Sequence, residues 1–518
     1  MLNYWWVTRP KRRLNSIPEV LSTFAEMSLN QQWQGQRGTH LLLEDALEEA
    51  GLKRRGERRD QTGGGARTYK AWVMSLGLLF TQEATGRIML TLAGEAIMNG
   101  DSPVAVLKNQ ILKYQFPSSF SLGRGVAVSE RFRIRPFRFL LRLLMDDRVA
   151  YLTEEEIAKI VVVEAENETE RCYEYIVDRI HDFRSRGDGC LEPDFFEKYR
   201  PSKGEVNPEH PFSHLTDLAN TLVNWLDYTQ LIERESGQVR ILDEKRSEVA
   251  AVLSVTPPFI DRPDQQEYFQ RKYGLDPKHR KDTRNLTETR TITAKIIAEQ
   301  KIKQAYISES LKRPIARITP ALVDRITEMT GLNERLIEDT LLRLYPGGSV
   351  GAFMTEYFEM AFKGRDEATD FEKATAELFR DVFGFQASHV GSAGLTPDVL
   401  ILSDSDGYQA IIDNKAYSRY TISNDHHNRM VHNYIANPGH YSSSPLALAF
   451  FTYIAGGFGR NFDAQVRAVS DASGVPGSGI SVSNMIKLVE CYGEKGYTHG
   501  TLRDLFSVNR QVLLTDFA

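Results

Sequence analysis

Asp398, Asp413 and Lys415 are the residues whose types and spacing could do chemistry: a Pro397-Asp398 pair is followed about fifteen residues later by Asp413-Asn414-Lys415. Phosphodiester hydrolysis needs oxygen ligands that clamp a hard divalent cation, and two carboxylates do this while leaving coordination positions for water and a phosphate oxygen. Asp398 and Asp413 suit that role, with Mg²⁺ as the expected ion. Lys415 suits a complementary one: it could position the attacking water, or stabilise its hydroxide form, and offset the charge that develops around phosphorus. Taken alone the pattern is weak, because Asp, Glu and Lys are common and turns are rich in Asp.

Its weight comes from the elements that must position it. The stretch TDFEKATAELFRDVFGFQ reads as a helix, PDVLILSD as an apolar strand, Asp406-Gly407 as a turn, and YQAIIDNKAYS as a second strand. Side chains alternate along a strand, so Asp413 and Lys415 share a face while Asn414 points to the other, and Asp398 opens the facing strand. Glu372 and Glu377 on the helix are candidate accessory acids; a solvated helix carboxylate is the plainer reading of each.

The chain has 518 residues, too many for one ordinary core, with 41% hydrophobic and 26% charged residues, the balance of a folded soluble protein. Cys172, Cys190 and Cys491 are far apart with no CxxC pair, which excludes zinc-knuckle and disulfide-framework classes and fits a reducing, cytoplasmic setting. MLNYWWVTRPKRRLN lacks the pattern of a signal peptide, and no apolar run is long enough to span a membrane. The net charge of −5 does not exclude a nucleic-acid partner, because the position of the cations matters more than their sum. They concentrate in two stretches, the N-terminal one and the run from Arg124 to Arg142, while an acidic excess lies in segments such as Glu154 to Glu170.

Upstream, TYKAWVMSLGLLFTQEATGRIMLTLAGEAIMN has the grammar of a winged helix: a helix carrying Trp72, Leu76, Leu79 and Phe80 at helical spacing, then two short strands with Ile88, Leu90 and Leu92 alternating, then another helix start. A second unit of the same outline runs through Leu222 and Trp225, a strand near Leu231, a turn at Gly237, and a strand from Val239 to Leu242. Winged helices serve as protein-binding modules as well as DNA readers. Here the basic loop RRGERRDQTGGGARTYK precedes the first unit, and its arginines could reach phosphates or guanine edges. Candidate DNA contacts are Arg9, Lys11, Arg12, Arg13, Arg54, Arg55, Arg58, Arg59, Arg67 and Lys70; a solvated flexible loop is the alternative for the second cluster.

The expected fold is multidomain, α+β and α/β. A mostly helical recognition region with tandem winged helices comprises 1–150 and 151–255, a linker with a third small helical module occupies 256–350, and a nuclease domain with a central mixed sheet occupies 351–518. The Pro- and charge-rich stretch from Thr256 to Arg290 reads as an interdomain connection.

At VFGFQASHVG, Pro397-Asp398, DNKAYS, LAFFTYIAGGFGRNFDAQVRAVS and GTLRDLF the sequence resembles the cleavage domain of FokI-type restriction endonucleases, within the PD-(D/E)xK nuclease superfamily. The likeness covers about the last 150 residues, and the two winged-helix segments resemble the recognition subdomains of the same family more weakly. The resemblance implies a type IIS restriction endonuclease that reads a short asymmetric site in double-stranded DNA and cuts at a fixed distance. It implies Asp398 and Asp413 as metal ligands, Lys415 as the catalytic lysine, transient homodimerisation of the cleavage domain on DNA, and a cognate DNA methyltransferase.

One departure concerns dimerisation. The family's acid and base one turn apart on the helix after the catalytic strand align here with Asn428 and His432, in DHHNRMVHNY. Asp425 and Arg429 are substitutes on the same helix. His426, His427 and His432 suggest a metal site less than a polar helix face. Two further functions stay open: a nicking or structure-specific DNA nuclease, and a winged-helix regulator carrying an inactive nuclease fold.

Overall fold

A computed structural model of the chain describes residues 2–55, 62–122, 127–201, 211–235, 237–286, 294–362, 368–391 and 395–517. It divides into two compact units, Met1–Ile307 with Met329–Leu332, and Ser308–Glu328 with Asn333–Ala518. None of the described helices is long and apolar enough to cross a membrane.

In the first unit, helix α1 (Gly64–Ser75) buries Ala66, Tyr69, Trp72 and Val73, the stripe that a 3.6-residue period demands. The helical spacing read through Leu79 and Phe80 does not continue as helix. Gly77 takes a φ of +72° and ends α1, and both residues fall in strand β1 (Leu79–Thr81). Strand β2 (Ile88–Leu90) pairs with it antiparallel, Leu79 opposite Leu90 and Thr81 opposite Ile88. Thr91 then caps helix α2 (Leu92–Met98) by accepting from Gly94 N, and its hydroxyl donates to Gly77 O at 2.6 Å. Gly94 has no substitute, since a Cβ there would stand 2.2 Å from Leu78 O.

The second outline is also a helix followed by a hairpin, with a strand added. After α3 (Pro136–Met145) and β3 (Leu152–Thr153), helix α4 (Ser213–Tyr228) buries Leu215, Leu218, Leu222 and Trp225. Strands β4 (Ile232–Glu235) and β5 (Gln238–Ile241) follow, and the sheet order is β3-β5-β4, all antiparallel.

Two expectations need correction here. The stretch read as an interdomain connection folds back inside the unit: helix α5 (Gln266–Tyr273) buries Phe269, Gln270 and Tyr273, and Gln270 Nε2 donates to Leu79 O at 3.1 Å and to Met74 O. Prolines and charges break the apolar period, yet a few side chains suffice to dock the segment. Three arginines of the basic run are also not free cations. Arg131 pairs with Glu166 at 2.8 Å, Arg135 with Glu168, and Arg142 with Glu170 at 2.6 Å. These three pairs form one ladder, while Arg133 stays exposed with its guanidinium 5.1 Å from the Phe259 ring.

The second unit is built on a six-stranded mixed sheet. Helices α6 (Val350–Met360) and α7 (Ala368–Asp381) lead into β6 (Gln386–His389), β7 (Val399–Ser403) and β8 (Tyr408–Lys415), which pair antiparallel. Helix α8 (Asn424–Asn428) widens into a π-helical segment, Arg429–Ile435, before β9 (Ala447–Ala455), α9 (Phe462–Ser473), β10 (Gly477–Ser481), α10 (Val482–Lys495), α11 (His499–Phe506) and β11 (Arg510–Gln511). The last four strands of the sheet run parallel, β8 to β9 to β10 to β11.

Each face of this sheet has its own core. On α7, Phe371, Ala374, Thr375, Leu378 and Phe379 recur at i, i+3, i+4, i+7 and i+8, and the apolar ones pack with Val399, Ile401, Ala410 and Ile412 of one sheet face. On the other face Leu400, Ile411, Phe451 and Tyr453 pack with Met430, Val431 and Tyr434 of the π-helical segment and with Val466 and Val469 of α9. Because both faces are covered, β8 is buried along its length and apolar except for Gln409 until its last three residues.

Candidate active site

Those last three residues of β8 depart from the apolar run at the place where two strands meet. Val399 of β7 pairs with Ile412 of β8, so the register carried one step further sets Asp398 across from Asp413. Asn414 N donates to Asp398 Oδ2 at 2.6 Å, which joins the start of β7 to the end of β8. Lys415 Nζ lies 2.7 Å from Asp413 Oδ2, with the two side chains 14% and 6% exposed, so this is a buried ion pair. The three side chains converge on the sheet face that carries Leu400 and Ile411.

Asn414 faces the other way. Its Nδ2 donates to Thr375 Oγ1 of α7 at 2.7 Å, Tyr357 and Thr375 share a hydrogen bond of the same length, and Thr375 Oγ1 donates to Phe371 O at 2.9 Å. This buried chain anchors the residue between the second acid and the lysine to the helix layer beneath.

The electrostatics are lopsided. Burial, and then the neighbouring Asp413, push the Asp398 carboxyl well above the usual carboxylate range, with Glu372 adding to the effect and Lys415 opposing it. Burial works against the Lys415 ammonium, but Asp413 and Asp398 together outweigh it and hold its pKa above the ordinary lysine value. One ammonium thus faces two carboxylates that burial makes costly to ionise together. A divalent cation bound through those oxygens would remove the deficit, so the donor set fits a hard ion such as Mg²⁺. Among the described residues no group of three or more His, Cys, Asp or Glu side chains is arranged to hold a metal by itself. The two acids would share such an ion with water and substrate oxygens.

The two accessory candidates separate. Glu372 borders the site: its Oε2 is 2.7 Å from His389 Nε2, and it is among the charges that act on Asp398. Glu377 instead has a carboxyl raised by burial and opposed by Arg380 and Arg313. His389 had no chemical role in the sequence reading. The signal available was its place at the end of a strand that neighbours the Pro-Asp strand.

On the helix after β8, Asp425, Asn428, Arg429 and His432 are all exposed, with Asp425 and Arg429 paired at 2.9 Å. His426 is turned elsewhere, its Nδ1 2.9 Å from Tyr420 OH, and the three histidines form no metal-binding group. Tyr420 in turn lies under Lys415, whose Nζ is 6.0 Å from the ring centroid.

The candidate DNA contacts divide as well. Arg12 is paired with Asp217 at 2.6 Å, Arg9 Nη2 reaches His214 O at 3.4 Å, and Arg67 folds onto Thr62 O at 2.6 Å. Burial lowers the Arg9 guanidinium. Lys11 and Arg13 each engage a neighbour. Arg54 and Arg55 are exposed. Lys70 stands 5.2 Å over the Trp33 ring, and burial brings its ammonium down to about 8. Arg58, Arg59 and Arg124 lie outside the described residues.

A helix feeds an antiparallel hairpin, parallel strands follow with helices on both faces, and the acids stand at adjoining strand ends. Residues 331–513 match the family model described as FokI, cleavage domain. That segment belongs to the FokI cleavage-domain family.

Two solved structures are similar at low identity. The structure of restriction endonuclease FokI is 15% identical, covering 99% of this chain and 100% of its own, with a TM-score of 0.29. The BpuJ1 endonuclease binding domain, solved with pyrene- and phenanthrene-modified DNA, is 14% identical, covering 52% of this chain and 96% of its own, with a TM-score of 0.37. None of the curated proteins matches the chain.

Proposed function

We propose that the protein reads a short asymmetric site in double-stranded DNA through its first unit and cuts at a fixed distance with Asp398, Asp413 and Lys415. The observation that carries this reading is the convergence of the three side chains at the joined ends of β7 and β8. Asp398 and Asp413 would hold Mg²⁺, which when bound supplies positive charge beside the scissile phosphate. Asp413 orients the Lys415 ammonium, and the two carboxylates keep it charged. Lys415 donates a hydrogen bond to the attacking water or its hydroxide and balances charge on the non-bridging oxygens. The water oxygen gives up a proton to solvent as it bonds to phosphorus, the ester oxygen departs with the bonding pair, and a proton from solvent completes the new hydroxyl. The aromatic wall of Tyr420, Tyr434 and Tyr453 limits water around the pair.

For the first unit, the two helix-and-hairpin modules are read as winged helices that contact DNA, with exposed Arg54 and Arg55 contacting phosphate. One site cuts one strand, so a staggered double-strand break calls for transient pairing of two cleavage domains through the helix bearing Asp425 and Arg429. A second reading, a nicking enzyme, is favoured by the exposed Asn428 and His432, which lack the family's acid–base pair. A methyltransferase that protects the host's own sites is the expected companion, in a cytoplasmic restriction-modification pair.

Incubation with a plasmid library, Mg²⁺ and sequencing of the ends tests both readings. Discrete fragments with one offset support the first, and single-strand nicks the second. Cleavage should disappear with chelator and in Asp398→Ala, Asp413→Ala and Lys415→Ala. Retention of wild-type rates in these variants would refute the site assignment.

A further inference from the structure

The first unit holds a cavity of about 840 Å³ that no step above uses, inside the range of about 300–1,000 Å³ usual for small-ligand sites. It lies between the two segments that flank α5. Phe259 and Ile260 line it from the segment before, Arg280 and Lys281 from the segment after, and Tyr268 from α5 itself. Lys113, the last residue of the helix Pro103–Lys113, also borders it.

The walls combine flat apolar surface with positive charge. The Arg135 and Arg133 guanidinium groups lie 4.5 and 5.1 Å from the centroid of the Phe259 ring, and Lys272 Nζ lies 4.3 Å from that of Tyr268. The acids do not cancel the cations. Asp282 is taken by Arg271 and Arg284 at 2.9 Å each, and Glu267 by Arg271 at 3.5 Å. Arg280 and Lys281 are exposed and pair with no carboxylate among the described residues. Lys113 Nζ donates to Leu275 O and Tyr273 O at 2.7 and 3.1 Å, and an ammonium has a third proton left to give. Against these three cations the described lining sets one unmatched acid, the exposed Glu83, which with the exposed Gln265 can meet the polar edge of a ring.

A ligand suited to such walls has a planar ring to lie on an aromatic side chain and a phosphate to engage the free cations. We propose that this cavity takes a single nucleotide, its base against Phe259 and its phosphate held by Arg280 and Lys281, with Lys113 donating its third proton to the same ligand. Two sources offer that chemistry, a free mononucleotide and a nucleotide displaced from a DNA strand. The inference goes beyond the nuclease reading and does not depend on it.

The test uses the full chain in chelator, where cleavage does not intervene, and the four deoxynucleoside 5′-monophosphates as probes in isothermal titration calorimetry. All four should bind, while deoxyadenosine and deoxyribose 5-phosphate, each half of a ligand, should bind more weakly than dAMP. Phe259→Leu should weaken dAMP by roughly 5- to 150-fold, the worth of one stacked base. The double variant Arg280→Ala, Lys281→Ala should weaken it too and flatten its salt dependence. Should Phe259→Leu melt below the wild type, the double variant decides, since it alters only exposed, unpaired side chains. A duplex with one bulged nucleotide separates the sources. If DNA supplies the nucleotide, this duplex binds more tightly than its fully paired counterpart, and dAMP competes the difference away. Equal binding of the two duplexes, with dAMP still bound, assigns the cavity to free nucleotide. Absence of binding by every monophosphate together with no advantage for the bulged duplex would overturn the proposal, as would binding of either probe that neither variant weakens. A protein that cuts no DNA leaves each of these outcomes readable.

Discussion

The backbone amide of Asn414 donates to the Asp398 carboxylate at 2.6 Å, so the residue that separates the second acid from the lysine also holds the first acid in place. The site is therefore one connected object rather than three independent side chains. Removing different members should have different consequences for stability and for cleavage.

Asp398→Asn and Asp413→Asn should both abolish cleavage but move stability oppositely. Burial and Asp413 already disfavour the Asp398 carboxylate, and an asparagine oxygen can still accept from Asn414 N, so metal-free Asp398→Asn should unfold at or above the wild-type denaturant midpoint. Asp413→Asn leaves the Lys415 ammonium buried beside a weaker partner and should cost about 3 kcal/mol. Urea unfolding in chelator measures both. The reverse order of midpoints would contradict this electrostatic account.

Thr375→Val tests the support beneath the site. Two donors, Tyr357 Oη and Asn414 Nδ2, converge on Thr375 Oγ1, and an isosteric methyl leaves both buried without an acceptor. The loss should be roughly 2 to 4 kcal/mol of stability, with slower cleavage because Asn414 positions Asp398. Thr375→Ser should restore most of both. A valine variant with unchanged midpoint and rate would show that the chain of hydrogen bonds carries no weight.

Lys113 gives the first unit a pH dependence. Its Nζ donates to Leu275 O at 2.7 Å and Tyr273 O at 3.1 Å, and burial pushes its ammonium down to about 7. An unfolded lysine keeps its proton to about pH 10. Between the two values the unfolded chain binds more protons, so the contribution of this residue to stability increases as pH rises from about 7, and is flat below it. Equilibrium unfolding of wild type and Lys113→Met at pH 7.5 and 9 isolates the effect. Equal pH slopes in the two proteins would count against it.

Arg135 and the Arg54-Arg55 pair should part company. Arg135 is 4% exposed on the ladder with Glu168, so Arg135→Ala should cost about 3 kcal/mol of stability. The salt dependence of DNA binding should stay as it is. Arg54→Ala with Arg55→Ala should leave stability within about 0.5 kcal/mol while flattening the salt slope by roughly 1 to 2. Binding is best followed with Ca²⁺ in place of Mg²⁺. A reduced salt slope in the Arg135 variant would return that arginine to the DNA surface.

What could be read from the amino acids alone was whatever a local period encodes. The two-residue repeat of a strand put Asp413 and Lys415 on one face and Asn414 on the other, and the pattern of TDFEKATAELFRDVFGFQ marked a helix ahead of them. The order of helix and hairpin followed from the same patterns, and the later strand from the family resemblance. Leu79 and Phe80 show the limit of that logic: one glycine with a positive φ turned a continued helical stripe into a strand.

Tertiary structure decided every question of partnership. Local composition marked the run from Arg124 to Arg142 as basic, yet Glu166, Glu168 and Glu170 pair with its Arg131, Arg135 and Arg142, because salt bridges form between segments that the fold brings together. The same holds at the site. Nothing in the spacing of Glu372 and His389 announces their contact, which exists because α7 and β6 flank the same strand ends, and Gly391 between them matters only for the space it leaves open. The sequence by itself determined which residues could do the chemistry; the fold determined which of them meet and which charges are left for DNA.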